Sequence, residues 1–291
     1  MTNQTPLTEI IKKRHSCRTY SQTPIGKHQQ ASLNVFLSEN RTGPFGSGLR
    51  FNLIAGTVEA QSDLKDLGTY GVIKNAAGFI IGAVKDGPNS LEDFGYAMEK
   101  NILYATRLGL GTCWLGGTFT KSTFADKIDL QADEFIPAVT ATGHVASQKS
   151  LLEKTMRWGA GADKRKPRQM LFFENIFDQP LSAEDSGEWN TPLEMVRIGP
   201  SASNQQPWRI VKHSDKNTFH LYLQRTKRYQ TRNRILFGMA DLQRVDMGIA
   251  MCHFEMTALD LGLTGQWGFE EPDIGQLPEQ TSYVASWVAA V

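Results

Sequence analysis

Apolar residues recur three and four positions apart from Asp93 to Trp114 and again from Asp246 to Trp267, and the two stretches align without a gap. DFGYAMEKNILYATRLGLGTCW and DMGIAMCHFEMTALDLGLTGQW are identical at nine of 22 positions, too many for two unrelated helices to share in register. Each predicts an amphipathic helix ended by a glycine, Gly109 or Gly262, where a left-handed cap costs least, and followed by a short apolar strand. A second matched pair lies upstream: TGPFGSGLRFNLIAG from Thr42 and IGPSASNQQPWRIVK from Ile198, each a Gly-Pro loop leading into a β-rich run. Gly43 precedes Asp93 by 50 residues and Gly199 precedes Asp246 by 47, so loop, strand and helix recur in the same order.

This repeat predicts a duplicated α+β unit of about 140 residues whose copies pack as the subunits of a dimer would, with mixed sheets flanked by helices and the long helices at the centre. The expected halves are residues 1–169 and 170–291, fused into one intertwined pseudo-dimer. Two independent beads on a string are the alternative. The junction, MLFFENIFDQPL at 170–181, argues against them, because it is apolar and aromatic where a free linker is rich in Gly, Ser and Pro.

Composition narrows the partners. Hydrophobic residues make up 40% and charged residues 21%, which separates the chain from disordered sequences. Thirty-one Lys and Arg against 30 Asp and Glu leave a net charge of +1, so no long-range field favours nucleic acid or an acidic membrane, and any anion site must be local. The first residues lack the apolar core of a signal peptide, and no stretch reaches the roughly 18 apolar residues of a membrane span, so a cytoplasmic protein is expected. Cys17, Cys113 and Cys252 are far apart and without CxxC spacing, which points to reduced, packed thiols.

Four segments carry candidate chemistry. In IIKKRHSCRTYSQTPI (10–25), Ile10 and Ile11 suit the end of a helix, and an extended run after Arg14 would set Arg14, Ser16 and Arg18 on one anion-binding face. A solvated basic helix end is the plainer reading. GPSASNQQPWRIV (199–211) is too small and polar for a core segment, and Asn204 offers both donor and acceptor to a heterocycle edge; an ordinary turn is the alternative. In ADKRKPRQM (162–170), the run Lys164, Arg165, Lys166, Arg168 alone reads as a solvated face or a nonspecific nucleic-acid patch. GLGTCWLGG (109–117) brings Gly116 and Gly117, which allow close backbone approach to a ligand or form a simple turn. GxGxxG after a first strand, GxxxxGK[ST], GxSxG and HExxH are absent, and His253 and Glu255, two apart on a helix, point in different directions.

Taken together, RHSCRTY, PSASNQQPW and the helix with its glycine turn resemble the FMN-dependent nitroreductase superfamily, most closely its tandem-half branch, the TM nitroreductases. RHSCRTY looks like the family's R-x-S-x-R signature and GPSASNQQPW is similar to its P-S-S-x-N-x-Q-P-W loop, with Ala202 where the family has a second Ser. The resemblance implies a nitroreductase-like fold. It also implies that Arg14 and Ser16 hold the phosphate and ribityl end of FMN with His15 nearby, and that Arg18 faces the N1 and C2 carbonyl edge. Pro200, Ser201, Ala202 and Asn204 would reach the isoalloxazine, Gly116 and Gly117 would form the turn beside it, and Arg165 with Lys166 would hold the phosphate. The first half keeps R-x-S-x-R but has GPFGSGLRF for its loop, whereas the second keeps PSASN and lacks R-x-S-x-R, so one FMN per chain is expected.

An oxidoreductase taking hydride from NAD(P)H and passing it to a nitroaromatic, quinone or similar small acceptor in ping-pong fashion follows from that resemblance. Arg18→Ala is expected to slow reduction more than it weakens FMN binding, and Arg14→Ala chiefly to weaken FMN retention. A flavin-binding protein without catalysis, acting as sensor or carrier, is the alternative, and a nucleic-acid-binding protein using residues 164–168 is a more distant one.

Overall fold

The computed structural model describes residues 5–56, 64, 68–147, 164–213, 217–227 and 239–290. Their elements, in chain order, are α1 (Leu7–Lys13), α2 (Lys27–Glu39), β1 (Leu49–Ala55), β2 (Gly78–Lys85), α3 (Ser90–Arg107), β3 (Gly111–Leu115), α4 (Lys121–Ile128), β4 (Glu134–Phe135) and β5 (Val139–Gly143). Then follow β6 (Phe172–Glu174), α5 (Asn190–Ile198), β7 (Trp208–His213), β8 (Thr218–Gln224), α6 (Leu242–Asp260), β9 (Gly265–Gly268) and β10 (Thr281–Ala289).

Two sheets form, with the same path. The first runs β1-β2-β5-β3, with β4 on β2; the second runs β6-β7-β8-β10-β9. Matching β1 with β7, β2 with β8, β5 with β10 and β3 with β9 makes the two orders identical, which is what a repeated unit requires. The first sheet pairs its strands antiparallel, and among the described residues parallel pairing appears there only as bridges from Ser16 to Thr112 and Thr19 to Lys74. The second sheet is mixed, because β6 lies parallel to β7.

The central helices of the repeat, α3 and α6, pack on each other. They meet at glycines: a Cβ on Gly95 would run into the Val245 carbonyl, and one on Gly248 into the Glu92 carbonyl. In the repeat alignment Glu92 matches Val245 and Gly95 matches Gly248, so each helix makes the same contact on the other, as in an isologous dimer interface. Both helices end as the sequence predicts, with Gly109 at φ 82 and Gly262 at φ 78 in the left-handed region that a side chain disfavours.

Apolar burial ties the halves together. Leu7, Ile10 and Ile11 of α1 pack with α5, α6 and the second sheet, and the Leu7 N–H donates to Asp260 at the far end of α6 (3.1 Å). The junction is bound as well, since Leu171, Phe172 and Leu181 are buried in that same cluster. Separate cores face the two sides of the first sheet, one built on Leu33, Phe94 and Ile102 and reaching Val245 and Ile249 of α6, the other on Phe79, Phe124 and Tyr20. Cys17, Cys113 and Cys252 are buried thiols outside any disulfide, and no helix among the described residues is long and apolar enough to cross a membrane.

Candidate functional site

Residues after α1 run extended along the edge strand β3: Ser16 bridges Thr112, the Cys17 N–H donates to the Thr112 carbonyl (2.8 Å), and the Lys74 N–H donates to the Arg18 carbonyl (2.9 Å). The two-residue period of an extended chain then divides the side chains. Cys17 packs into the core of the first sheet, while Ser16 and Arg18 turn the other way into a cavity of about 360 Å³. Trp114, Leu115, Gly116 and Gly117, at the end of β3, form its floor, and Pro200, Ser201, Ala202 and Ser203 close it from the second half. Its size falls within the range of small-molecule sites.

The closing loop is held in a demanding conformation. Ser203 (φ 49), Asn204 (φ 54) and Gln206 (φ 45) all occupy the left-handed region, which costs a non-glycine residue about 1 kcal/mol or more and persists only where the surroundings enforce it. Enforcement comes from Asp246 Oδ1, which accepts the Ala202 N–H (2.9 Å), and from Ser201 Oγ, which accepts the Gln206 N–H (2.8 Å). Burial pushes the Asp246 carboxyl well above the usual carboxylate range, with nearby Asp241 adding to the effect and the Ala202 N–H opposing it.

A family model described as "Putative TM nitroreductase" matches residues 6–258. The chain belongs to this family. Its structure is similar to that of a "putative nitroreductase" from Thermotoga maritima, with 16% identity and a TM-score of 0.58 over 99% of this chain and 95% of the other. A nitroreductase family protein from Clostridium novyi matches 52% of this chain and 91% of its own at 19% identity and a TM-score of 0.41. One from Clostridium difficile matches 52% and 91% at 18% and 0.39. No curated protein matches the chain.

Of the residues that the nitroreductase motifs single out, Ser16, Arg18, Gly116, Gly117, Pro200, Ser201 and Ala202 gather on the cavity. The others stand elsewhere. Arg14, its side chain only 6% exposed, faces α3, with Nε 3.8 Å from Glu99 Oε1. His15 lies toward the surface, Nδ1 3.1 Å from the Lys13 carbonyl. Asn204 does not offer its amide to the cavity: Oδ1 accepts from Arg165 Nη1 (2.8 Å) and Gln206 Nε2 (3.2 Å), and Nδ2 donates to the Lys164 carbonyl (2.7 Å). Arg165 also donates to the Ile198 carbonyl (3.1 Å), and Lys166 donates from its backbone to Gln206 Oε1 (2.9 Å) and from Nζ to the Gln206 carbonyl (3.3 Å). Within the basic run Lys164 is exposed, whereas Arg165 and Lys166 clamp the PSASN loop and Arg168 joins the Leu181 carbonyl, Ser186 Oγ and the Phe172 ring. Burial, with Arg209 nearby, brings Lys166 down to about 8.

The motifs pass over two further groups. Asp246 is legible only as the first identity of the repeat, shared with Asp93, and nothing in the local pattern tells a buried aspartate from an exposed one. Below the cavity, Glu99 takes His253 Nε2 (2.9 Å) on Oε1 and Trp114 Nε1 (2.8 Å) on Oε2, with all of Glu99 and His253 buried. Glu255 indeed makes no pair with His253; it accepts from Tyr96 and Trp267 (2.7 Å each).

The position matching this cavity in the other half carries two aromatic rings. Phe45 stands where the alignment puts Ser201 and Phe269 where it puts Gly116, and their rings contact at 4.4 Å.

Proposed function

We propose that this cavity holds FMN and that the chain is an NAD(P)H-dependent oxidoreductase acting on nitroaromatics, quinones or similar small acceptors. The observation carrying this reading is that two residues lining the cavity, Arg18 and Asp246, each carry a buried polar atom, Nε and Oδ2, with no hydrogen-bond partner within the described protein. Buried polar groups are rarely left so, and a ligand with several hydrogen-bonding ring atoms answers both. When bound, FMN would supply the hydride-accepting and hydride-donating chemistry.

The protein's part is binding and field. Arg18 sets a fixed cation where negative charge would develop on a reduced ring, and its confinement on the strand beside β3 means little reorganisation accompanies that development. Ser16 and the small residues Pro200 to Ala202 leave room for a flat ligand between the halves. Arg165 and Lys166, which clamp the loop, supply positive charge toward a phosphate. We assign the halves to residues 1–169 and 170–291, acting as one monomeric pseudo-dimer; the shared strand order and the reciprocal glycine contacts support this.

The test is the absorbance spectrum of the purified chain with its FMN content, followed by NAD(P)H consumption with a quinone or nitro compound. One FMN per chain is expected, since Phe45 and Phe269 occupy the second position. A colourless protein that takes up no added FMN would end the cofactor reading, and uptake without turnover would leave a flavin-binding protein instead.

A further inference from the structure

We infer that Asp246 is a ligand-binding residue of the cavity, donating an O–H from Oδ2 to a carbonyl oxygen or unprotonated ring nitrogen of a flat heterocycle. The inference rests on the FMN reading of the same cavity and adds to it a contact made by the central helix itself.

The repeat supplies an internal control. Asp93, the counterpart of Asp246, uses both oxygens on its own Gly-Pro loop: Oδ1 accepts the Phe45 N–H and Oδ2 the Ser47 N–H, each at 2.8 Å. Asp246 uses one, Oδ1, on the Ala202 N–H (2.9 Å). Ser203, which matches Ser47, lies in the left-handed region (φ 49), and its N–H does not reach Oδ2. Half of the aspartate is thus released from loop binding in the half whose loop closes this cavity, and Asp246 lines it.

The direction of the hydrogen bond follows from the surroundings. Asp246 is buried, and the charges around it do not favour ionisation: Asp241 heads the same helix, and Arg244 is bound to Glu92 at 2.7 Å. Arg18, the cation on the cavity, is not among the groups that lower it. Burial favours the neutral carboxyl, and a neutral carboxyl keeps its proton on one oxygen. Since Oδ1 is the acceptor for Ala202, the proton belongs on Oδ2. Arg18, also lining the cavity, carries a second unpartnered donor, Nε, so the pair selects a ligand with at least two acceptors, as the carbonyl-bearing edge of an isoalloxazine has.

Infrared difference spectra of the wild-type chain with and without FMN, read beside FMN titrations of variants, test this. A carboxylic-acid carbonyl band that shifts when FMN binds, and is missing in Asp246→Asn, is expected. Asp246→Asn keeps an acceptor for Ala202 and an N–H for the ligand, so its FMN dissociation constant should stay within about threefold of wild type, whereas Asp246→Ala should raise it about tenfold. An acid band unmoved by FMN, an Asp246→Ala variant that binds FMN as wild type does, or an Asp246→Asn loss as large as that of alanine would each overturn the donor role. The band is read on the wild-type protein, so the test stands even where Asp246→Ala does not fold. Failure of the wild-type chain to bind FMN would overturn the cofactor reading itself, whereas binding with a silent acid band sinks this inference alone.

Discussion

Arg14 and Arg18 leave one extended segment four residues apart, yet their surroundings differ in kind. Arg18 Nε is buried without a partner on the cavity, and Arg14 faces buried Glu99 at 3.8 Å. Arg18→Ala should therefore cut NAD(P)H turnover about a hundredfold, as loss of a preorganised donor does, with a smaller change in FMN retention. Arg14→Ala should weaken FMN retention and also destabilise the flavin-free protein by about 1–3 kcal/mol, because Glu99 keeps His253 and Trp114 but loses a cation. An unchanged denaturation midpoint for the flavin-free Arg14 variant would refute that second effect. Lys166 carries a pH prediction. The folded protein releases its proton near 8 and the unfolded chain near 10.5, so between those values the unfolded chain binds more protons and stability of the flavin-free protein rises with pH. Phosphate binding wants the charged form, so FMN affinity should fall as pH rises through 8, and Lys166→Arg should abolish the fall; a flat wild-type profile would count against Lys166 as a phosphate contact. At this scale the sequence singled out Arg18 and Gly116, and both line the cavity, their roles toward a ligand being proposals. Asn204 could not be placed from its type alone, since its amide has donors and acceptors enough for a ring edge and in the folded chain meets Arg165 and Lys164.

Among the elements, the crossing of α3 and α6 has the least tolerance, because the groups facing Gly95 and Gly248 are backbone carbonyls that no rotamer change can move. Gly248→Ala should destabilise the protein by about 1–3 kcal/mol through overpacking, and Gly95→Ala by a similar amount, since the contacts are counterparts. Urea titration checks both; a variant as stable as wild type would mean that the helices separate at no cost. An alanine gained inside a helix would otherwise stabilise it by about 1 kcal/mol, so the sign of the change is decisive. The helices, their glycine ends and their order could be read beforehand because a period of three to four residues and a left-handed cap are local properties. Which face carries glycine for a partner helix could not, since Gly95 and Gly248 look like weak points until the other helix is placed against them. Strand partners were hidden for the same reason: β6 is only three residues, Phe172 to Glu174, and only the folded chain selects β7 as its parallel neighbour.

For the molecule as a whole, the question is whether the halves unfold separately or as one. Leu7, Ile10 and Ile11 open the chain, yet they are buried with Trp208, Phe219 and Met251 of the second half, while Val245 and Ile249 of α6 sit in the core of the first sheet. Each half thus lends apolar surface to the other's core. The apolar junction adds a third tie, since Leu171 and Phe172 are buried, as its apolar and aromatic composition favours. Opening either half alone would expose core side chains of its partner, and burial is worth about 25 cal/mol per Å² of apolar surface, so half-unfolded states are disfavoured. Heating should therefore give one transition, with calorimetric and van't Hoff enthalpies equal, although the 291 residues exceed the length at which single transitions are usual. Added FMN should move that whole transition upward, because a ligand held between the halves binds only when both are folded. Two resolved transitions, with only one of them responding to FMN, would mean that the halves are beads after all and that the cavity belongs to one of them.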